Sequence, residues 1–230
     1  MLKLAILISG RGSNMLALIT AIEKQNLHCE IVCVIANKRA QGLEIAKTHG
    51  IATKLIMHAE YPNKHDHERA VLKELEKHRP DWIFLAGYMA ILSASFVDKF
   101  RGRIINIHPS LLPKFKGLNT HKRALEAGEV RHGVTVHIVT SDLDDGPIIA
   151  QSELVIMPND TAKSLETRVL HKEHILYPLI LSSLIKKHLE IIDSKVIWHQ
   201  VPPTANTLSG RKNINATIVS NSHLKLKNLC

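Results

Sequence analysis

The chain has 230 residues, a formal net charge of +9 and three cysteines, and 45% of its residues are hydrophobic. This length suffices for one domain with a sizeable core, and so few cysteines exclude a disulfide-stapled framework. No stretch has the roughly 18 consecutive apolar residues of a membrane helix. We therefore expect a protein of the reducing cytoplasm without a membrane partner, and the basic charge favours anionic substrates.

Short apolar runs alternate with amphipathic stretches along the first half of the chain, which is typical of buried strands joined by helices. The predicted strands are 4–8, 29–36, 53–57, 82–86 and 104–108. The predicted helices are 15–22, 42–49 and 64–78. This alternation implies parallel strands covered on both faces, and hence a doubly wound α/β sheet.

The pattern changes in the C-terminal half. A helix at 118–127 ends at Gly128, and two β-rich runs, 133–140 and 148–156, are separated by an acidic loop that contains Gly-Pro. Two strands joined in this way predict an antiparallel addition to the mostly parallel sheet. The segment Asn-Asp-Thr at 159–161 can cap a helix, and we expect a long helix to follow it to about Lys187.

We expect a single domain over residues 1–200 and a basic, poorly ordered tail over 201–230. From residue 186 onward, seven Lys or Arg residues stand against two acidic residues. Such a basic segment could contact nucleic acid or a membrane surface, but from residue 186 onward Trp198 is the single Phe, Tyr or Trp that could stack on bases. A solvated tail, with no nucleic-acid partner, is the preferred interpretation.

The turn Ser-Gly-Arg-Gly-Ser-Asn at 9–14 connects the first strand to the first helix, where backbone N–H groups and the helix dipole favour an anion. It lacks the Gly-Lys-Ser/Thr ending of a P-loop. It also lacks the third glycine of the dinucleotide fingerprint, since Met15 stands there. A single phosphate would suit this turn, and a plain strand-to-helix turn is an equally good interpretation.

Asn106 and His108 lie two positions apart at the end of a predicted strand, before Pro109 ends the ladder. Their side chains share one face, roughly 6.5 Å apart along the strand. An amide donor beside a titratable ring suits a carbonyl oxygen that gains negative charge during acyl-type transfer. Alternatively, both side chains could do no more than satisfy backbone groups at the strand end.

The loop Asp-Leu-Asp-Asp-Gly-Pro at 142–147 resembles a calcium loop only in part, because Gly146 and Pro147 break the ligand pattern. One of its carboxylates could instead approach His108 and favour the protonated imidazole. The alternative is an Asp-Gly turn with solvated carboxylates. The remaining histidines show no ligand geometry, and we predict no metal site.

Four segments together resemble the phosphoribosylglycinamide formyltransferases, within the folate-dependent formyltransferase family. They are SGRGSN at 9–14, LAGYMAIL at 85–92, NIHPSLLP at 106–113 and DLDDGP at 142–147. NIHPSLLP and DLDDGP are shared by folate-dependent formyltransferases generally, so they identify the wider family. The Gly-Ser-Asn turn distinguishes the phosphoribosylglycinamide formyltransferases within it. The resemblance covers about residues 3–200.

The resemblance implies transfer of the formyl group of 10-formyltetrahydrofolate to the amine of 5-phosphoribosylglycinamide in purine biosynthesis. Asn106, His108 and Asp144 match the catalytic trio of the family: the first two stabilise the oxyanion, and Asp144 supports the charge on His108. Both substrates are small molecules, folate is a co-substrate and no metal is implied. The assembly would be a monomer or a homodimer.

Binding residues are implied by the same resemblance. The substrate phosphate and ribonucleotide would be held by Gly12, Ser13, Asn14 and Glu173. The folate would be held by Met89, Ala90, Ile91, Leu92 and Asn106, with Lys64 nearby.

Several positions depart from the pattern of the family. Asp145 stands where relatives often carry a second glycine, and Lys116 stands where a proline commonly precedes Gly117. Ala90 and Lys64 stand where some relatives have arginine, which bears on the glutamate tail of the folate.

Three other functions are open. A hydrolase could release formate from the same folate, although it would gain nothing from an anion turn. A non-catalytic folate- or nucleotide-binding protein would bind both ligands without turnover. Formylation of methionyl-tRNA is the least favoured, because the chain lacks an evident tRNA-binding domain.

Overall fold

The computed structural model describes residues 1–200 together with the backbone of two strands at 214–219 and 223–228. By its internal contacts the chain divides into two compact units, 1–106 and 107–230. The single domain expected over residues 1–200 stays a prediction.

The first unit is built on parallel strands. They are β1 (Leu2–Ile8), β2 (Cys29–Ala36), β3 (Thr53–Leu55), β4 (Trp82–Leu85) and β5 (Ile104–His108), whose last two residues belong to the second unit. Parallel pairing gives the spatial order β3-β2-β1-β4-β5. Residues 4–8 of β1 are completely buried, so both faces of the central strand are covered.

Helices connect these strands. They are α1 (Ser13–Lys24), α2 (Gln41–Thr48), α3 (Lys64–His78) and α4 (Ala94–Lys99). Asn63 caps α3 by accepting a hydrogen bond from the N–H of Asp66, and Ser93 caps α4 in the same way. Because the strands are parallel, the loops that follow β1 and β4 emerge at the same edge of the sheet.

The second unit combines two long antiparallel strands with a long helix. Its elements are α5 (Thr120–Glu126), β6 (Arg131–Ile138), β7 (Ile148–Val155), α6 (Ala162–Ile185), β8 (Leu189–Ile192), β9 (Lys195–Trp198), β10 (Ile214–Val219) and β11 (His223–Asn228). β6 pairs with β7, β8 with β9 and β10 with β11, each antiparallel, and β11 lies parallel to β7. α6 packs on β6 and β7.

The predicted fold class is confirmed. Strands alternate with helices on a mostly parallel pattern, and antiparallel strands follow in the C-terminal half. α4 and the β8–β9 hairpin were not predicted, and the third strand ends at Leu55, two residues earlier than expected. For the predicted tail, the described backbone forms β10 and β11, and the other residues of 201–230 lie outside the described part, so its order remains untested.

Cys29 and Cys33 are free and buried, and four positions along β2 place their Cα atoms roughly 13 Å apart, too far for a bridge. Burial raises the pKa of both thiols to about 12, because the thiolate would lose its hydration. The two side chains therefore serve as small apolar groups of the core.

Candidate active site

The turn after β1 is shaped by Gly12, whose φ of 78° is left-handed. A Cβ at this position would lie 2.8 Å from the Cα of Gly42, so only glycine fits without displacement. Gly12 is also the N-cap of α1 and supplies no side chain to the first turn of the helix. This geometry presents backbone N–H groups of the helix start to an anion.

The predicted phosphate residues follow this glycine directly. Ser13 is the first residue of α1 and is half-buried, whereas Asn14 is buried. The structure therefore brings Gly12, Ser13 and Asn14 together at one helix N-terminus. Their role towards a phosphate stays a prediction.

Ser9 links the turn after β1 to the loop after β4. Its Oγ accepts a hydrogen bond from the backbone N–H of Met89 at 2.7 Å and donates one to Oδ1 of Asn37 at 2.6 Å. The loop turns at Gly87, which has a φ of 75°. The side chains of Met89 and Ile91 beyond it are more than half exposed. Exposed apolar groups on a hydrogen-bonded loop can pack on a flat aromatic ligand.

The predicted folate residues fall on this loop and on α3. Ala90 is half-buried and Leu92 is buried. Glu68 of α3 accepts a hydrogen bond from the N–H of Ser93, just after the loop, at 2.8 Å, and another from the hydroxyl of Ser93. Lys64 lies one helical turn before Glu68, with its Nζ 3.8 Å from Oε1 of Glu68. Through Glu68, Lys64 is thereby connected to Ser93 at the end of the predicted folate loop.

His108 closes β5 and is buried, with 6% of its surface exposed. Its Nδ1 lies 3.3 Å from Oδ2 of Asp144, and its Nε2 lies 3.0 Å from the backbone oxygen of Phe115. Both partners are hydrogen-bond acceptors. The doubly protonated imidazolium is the form that donates to both of them. Asn106 precedes His108 by two positions on the same strand and is half-buried.

Asp144 lies on the loop after β6 and is held at both carboxylate oxygens. The backbone N–H of Gly117 donates to Oδ2 over 2.8 Å, and Oδ1 lies 3.7 Å from Nε2 of His137. The backbone of Asp144 is left-handed, with a φ of 48°. The predicted approach of an acidic-loop carboxylate to His108 is therefore present, and Asp144 is the residue that makes it.

His137 is a residue that the sequence analysis did not single out. It is buried on β6, and its Nδ1 lies 3.0 Å from the backbone oxygen of Ile138. Burial lowers the pKa of His137, because the charged ring would lose its hydration, and the charge of Asp144 opposes this effect. The available signal was the alternation of β6, which sets Thr135 and His137 on one face.

Two further histidines of the second unit, His121 and His132, contact each other. Nδ1 of His121 lies 3.1 Å from Nε2 of His132, which is 1% exposed. Burial lowers the pKa of His132 to about 4, and the neighbouring His121 and His108 contribute to this lowering. A neutral His132 beside His108 limits the positive charge that accumulates in this cluster.

Glu173, predicted to contact the ribonucleotide, lies on α6 and is 8% exposed. A carboxylate so deeply buried needs polar partners, because burial of a charge is costly. Its role towards a substrate stays a prediction.

Among residues 1–200, no group of three or more His, Cys, Asp or Glu side chains has a geometry that could hold a metal ion. In the same residues, none of the helices combines the length and the apolar character that crossing a bilayer requires.

Comparisons with known proteins show the family of the chain. Residues 2–181 match the family model described as formyl transferase. A phosphoribosylglycinamide formyltransferase of Escherichia coli (strain K12) is 41% identical over 182 residues, which are 79% of this chain and 86% of that protein. The solved structure of the phosphoribosylglycinamide formyltransferase from Coxiella burnetii is 48% identical, with a TM-score of 0.82, and covers 87% of this chain and 95% of that chain.

A structural neighbour of different activity is the formyltetrahydrofolate deformylase from Pseudomonas syringae pv. tomato. It is 26% identical, with a TM-score of 0.78, and the match covers 87% of this chain and 67% of that chain. Identity is thus higher to these two formyltransferases than to this deformylase. The chain belongs to the formyl transferase family and is similar over most of its length to the phosphoribosylglycinamide formyltransferases within it.

Proposed function

We propose that the chain transfers the formyl group of 10-formyltetrahydrofolate to the amine of 5-phosphoribosylglycinamide in de novo purine biosynthesis. The observation that carries this proposal is the buried His108–Asp144 pair, in which a carboxylate faces Nδ1 at 3.3 Å at the end of a strand that also carries Asn106. The names of the relatives imply formyl transfer in the same pathway.

The reaction begins when the substrate amine attacks the formyl carbon, and the carbonyl oxygen becomes an oxyanion. Asn106 and protonated His108 donate hydrogen bonds to that oxygen. Asp144 stabilises the charge on His108. The ammonium of the tetrahedral intermediate then loses a proton, which reaches N10 of the folate through water with the help of Asp144. Cleavage of the bond between carbon and N10 releases tetrahydrofolate and the formylated ribonucleotide.

One step of this mechanism has a structural requirement. Nε2 of His108 faces the oxygen of Phe115 at 3.0 Å, and Nδ1 faces Asp144. To stabilise the oxyanion, His108 has to donate its Nε2–H to the Phe115 carbonyl and the substrate oxygen together, or to redirect that hydrogen bond from Phe115 to the substrate oxygen. Such a bifurcated donor is a common arrangement in proteins. The formyl group is already activated, so no covalent nucleophile is needed.

The substrate phosphate is assigned to the start of α1. Gly12, Ser13 and Asn14 supply backbone N–H groups and the positive end of the helix dipole, and Glu173 is assigned to the ribonucleotide. The left-handed φ of Gly12 and its close approach to Gly42, which leaves no room for a Cβ, support this assignment. A small-molecule acceptor that carries one phosphate accounts for such a turn, whereas water as acceptor does not.

The pterin of the folate is assigned to Met89, Ala90, Ile91, Leu92 and Asn106, and the glutamate tail to Lys64. The exposed side chains of Met89 and Ile91 and the link from Lys64 through Glu68 to Ser93 support these assignments. The predicted cytoplasmic location, the monomeric or homodimeric state and the lack of a nucleic-acid partner belong to the same proposal.

A second candidate is hydrolysis of 10-formyltetrahydrofolate to formate, and the likeness to the Pseudomonas deformylase favours it. This reaction would use the same His108–Asp144 pair with water in place of the amine. The two candidates differ in their products, which makes them separable in one assay.

That assay uses the purified full chain with 10-formyltetrahydrofolate, and with 5-phosphoribosylglycinamide supplied or withheld. We expect tetrahydrofolate and formylated ribonucleotide to appear in equal amounts, with little formate when the acceptor is withheld. Formate release at the same rate without the acceptor would establish the deformylase instead. When His108 is replaced by alanine in this assay, His78→Ala is the matched control, because His78 lies at the end of α3 and pairs with Glu74.

A further inference from the structure

Three consecutive residues of the second unit contact the catalytic pair and its neighbour. The oxygen of Phe115 lies 3.0 Å from Nε2 of His108, and the N–H of Gly117 donates to Asp144 over 2.8 Å. Between them, Nζ of Lys116 lies 2.5 Å from Oδ1 of Asp145. The backbone of this segment thus positions both members of the pair, while its middle side chain binds the residue after Asp144.

The backbone alone does not favour this arrangement. Phe115 has a φ of 57° and Asp144 a φ of 48°, both in the left-handed region. This region is unfavourable for residues with a Cβ, and it persists where surrounding contacts hold it. The contacts that hold Asp144 therefore determine how often its carboxylate faces His108.

The far end of the acidic loop is fixed by its backbone. A Cβ at Gly146 would overlap the backbone oxygen of Ile138, and the N–H of Ile138 donates to the oxygen of Pro147 over 2.9 Å. On the side of Asp144, besides the rings of His108 and His137, the contacts come from the segment 115–117. The ion pair between Lys116 and Asp145 is the side-chain contact among them.

We propose that the Lys116–Asp145 ion pair is a positioning device that holds Asp144 against His108 during formyl transfer, an inference that rests on the proposed function. The lysine side chain is 35% exposed and that of Asp145 is 53% exposed, so the pair is accessible to solvent and to salt. Neither residue touches the reacting atoms in this proposal. Both act by limiting the motion of the loop that carries Asp144.

The test compares Lys116→Ala, Asp145→Ala and the double variant with the wild type. Exposed ion pairs have small coupling energies, so we expect each single variant to lower kcat about 2- to 5-fold while both KM values stay within about 2-fold. The double variant should lose no more than the larger single loss, because both changes remove the same contact. Lys116→Arg, which keeps the charge, should retain the wild-type kcat.

The matched control is Lys114→Ala, two residues earlier. Lys114 forms an ion pair of similar length with Glu129, at 2.7 Å, and that partner lies outside the acidic loop. We expect this variant to keep the wild-type kcat. High salt should lower the wild-type kcat towards that of the double variant and should affect the double variant less.

A second readout does not depend on turnover. The ¹⁵N chemical shifts of the His108 ring, assigned with a His108→Ala variant, should move in Lys116→Ala and Asp145→Ala and stay unchanged in Lys114→Ala. Moved shifts in a protein that transfers no formyl group would contradict the proposed function and leave the positioning role standing. The positioning role would be overturned if both the shifts and kcat were unchanged in the two single variants. It would also be overturned if the fold-loss of kcat in the double variant equalled the product of the two single losses.

Discussion

Oγ of Ser9 lies 2.7 Å from the backbone nitrogen of Met89, and this hydrogen bond joins the loop after β1 to the loop after β4. The same hydroxyl donates to Oδ1 of Asn37 at 2.6 Å in a buried environment. One hydroxyl thus connects the loop assigned to phosphate with the loop assigned to folate.

Replacing Ser9 by alanine should therefore weaken both the fold and folate binding. Loss of the hydroxyl leaves the buried Asn37 oxygen and the Met89 N–H without this partner, which costs about 1–3 kcal/mol in the free energy of unfolding. We expect the KM for the folate to rise, because the Met89 loop loses its anchor. Urea unfolding and steady-state kinetics measure the two effects. Thr167→Ala, which removes an exposed helix hydroxyl, is the control, and an equally small effect of both variants would contradict the role of Ser9.

Gly12→Ala should raise the KM for the phosphorylated substrate, because a Cβ would lie 2.8 Å from the Cα of Gly42 and displace the start of α1. Gly50→Ala is a matched control. Its φ of 70° imposes a similar left-handed strain of about 1–2 kcal/mol, yet a Cβ added there would meet nothing within 4 Å. Both variants should lose stability, and Gly12→Ala alone should lose substrate affinity. Equal KM values in the two variants would remove the turn from the phosphate site.

Asp144→Asn should lower kcat about 100-fold or more, because His108 loses the charge that stabilises its protonated form. Substrate KM values should change little, since Asp144 faces His108, His137 and Gly117 in the structure. Asp142→Asn on the same loop is the control and should retain activity. A large loss in the Asp142 variant, with a mild one in Asp144→Asn, would reverse the assignment.

His132 makes stability depend on pH in a defined direction. Its pKa is lowered from 6.5 to about 4 in the folded chain, so the unfolded chain binds the proton more readily below pH 6.5. Stability should therefore decrease as the pH falls from about 6.5 to 4, by about 2–3 kcal/mol from this residue. Urea unfolding at pH 7 and pH 4.5 measures this loss, and His132→Gln should show less of it than His78→Gln. Identical pH dependence in these two variants would contradict the effect.

Much of the fold could be predicted because its elements have strong and bounded patterns. The predicted bounds of β2, α3 and β5 agree with the structure, because a residue that interrupts the pattern follows each of them. Asn37 follows β2, Pro80 lies two residues after α3, and Pro109 follows β5. α4 escaped prediction because its six residues, 94–99, are too few for a helical period to show. The β8–β9 hairpin turns at Asp193 and Ser194, which both have a positive φ without being glycine.

The proposed pair of His108 and Asp144 could be predicted in part. The spacing of Asn106 and His108 on a strand indicated an oxyanion site, and the acidic loop was a candidate partner for His108. The residues of the loop alone left the choice of carboxylate open and the family resemblance named Asp144, whose Oδ2 lies 3.3 Å from Nδ1 of His108 in the structure. The Lys116–Asp145 pair joins residues 29 positions apart, which no local pattern contains, and the alternation of β6 places His137 on one face without showing its contact with Asp144.

The proposed role of His108 in stabilising the oxyanion is tested by single-turnover kinetics of His108→Ala with both substrates, together with the measured affinity for each substrate. We expect transfer of the formyl group to slow at least about 100-fold, while the affinities stay near those of the wild type and His78→Ala keeps full activity. Transfer by His108→Ala at the wild-type rate would contradict the account.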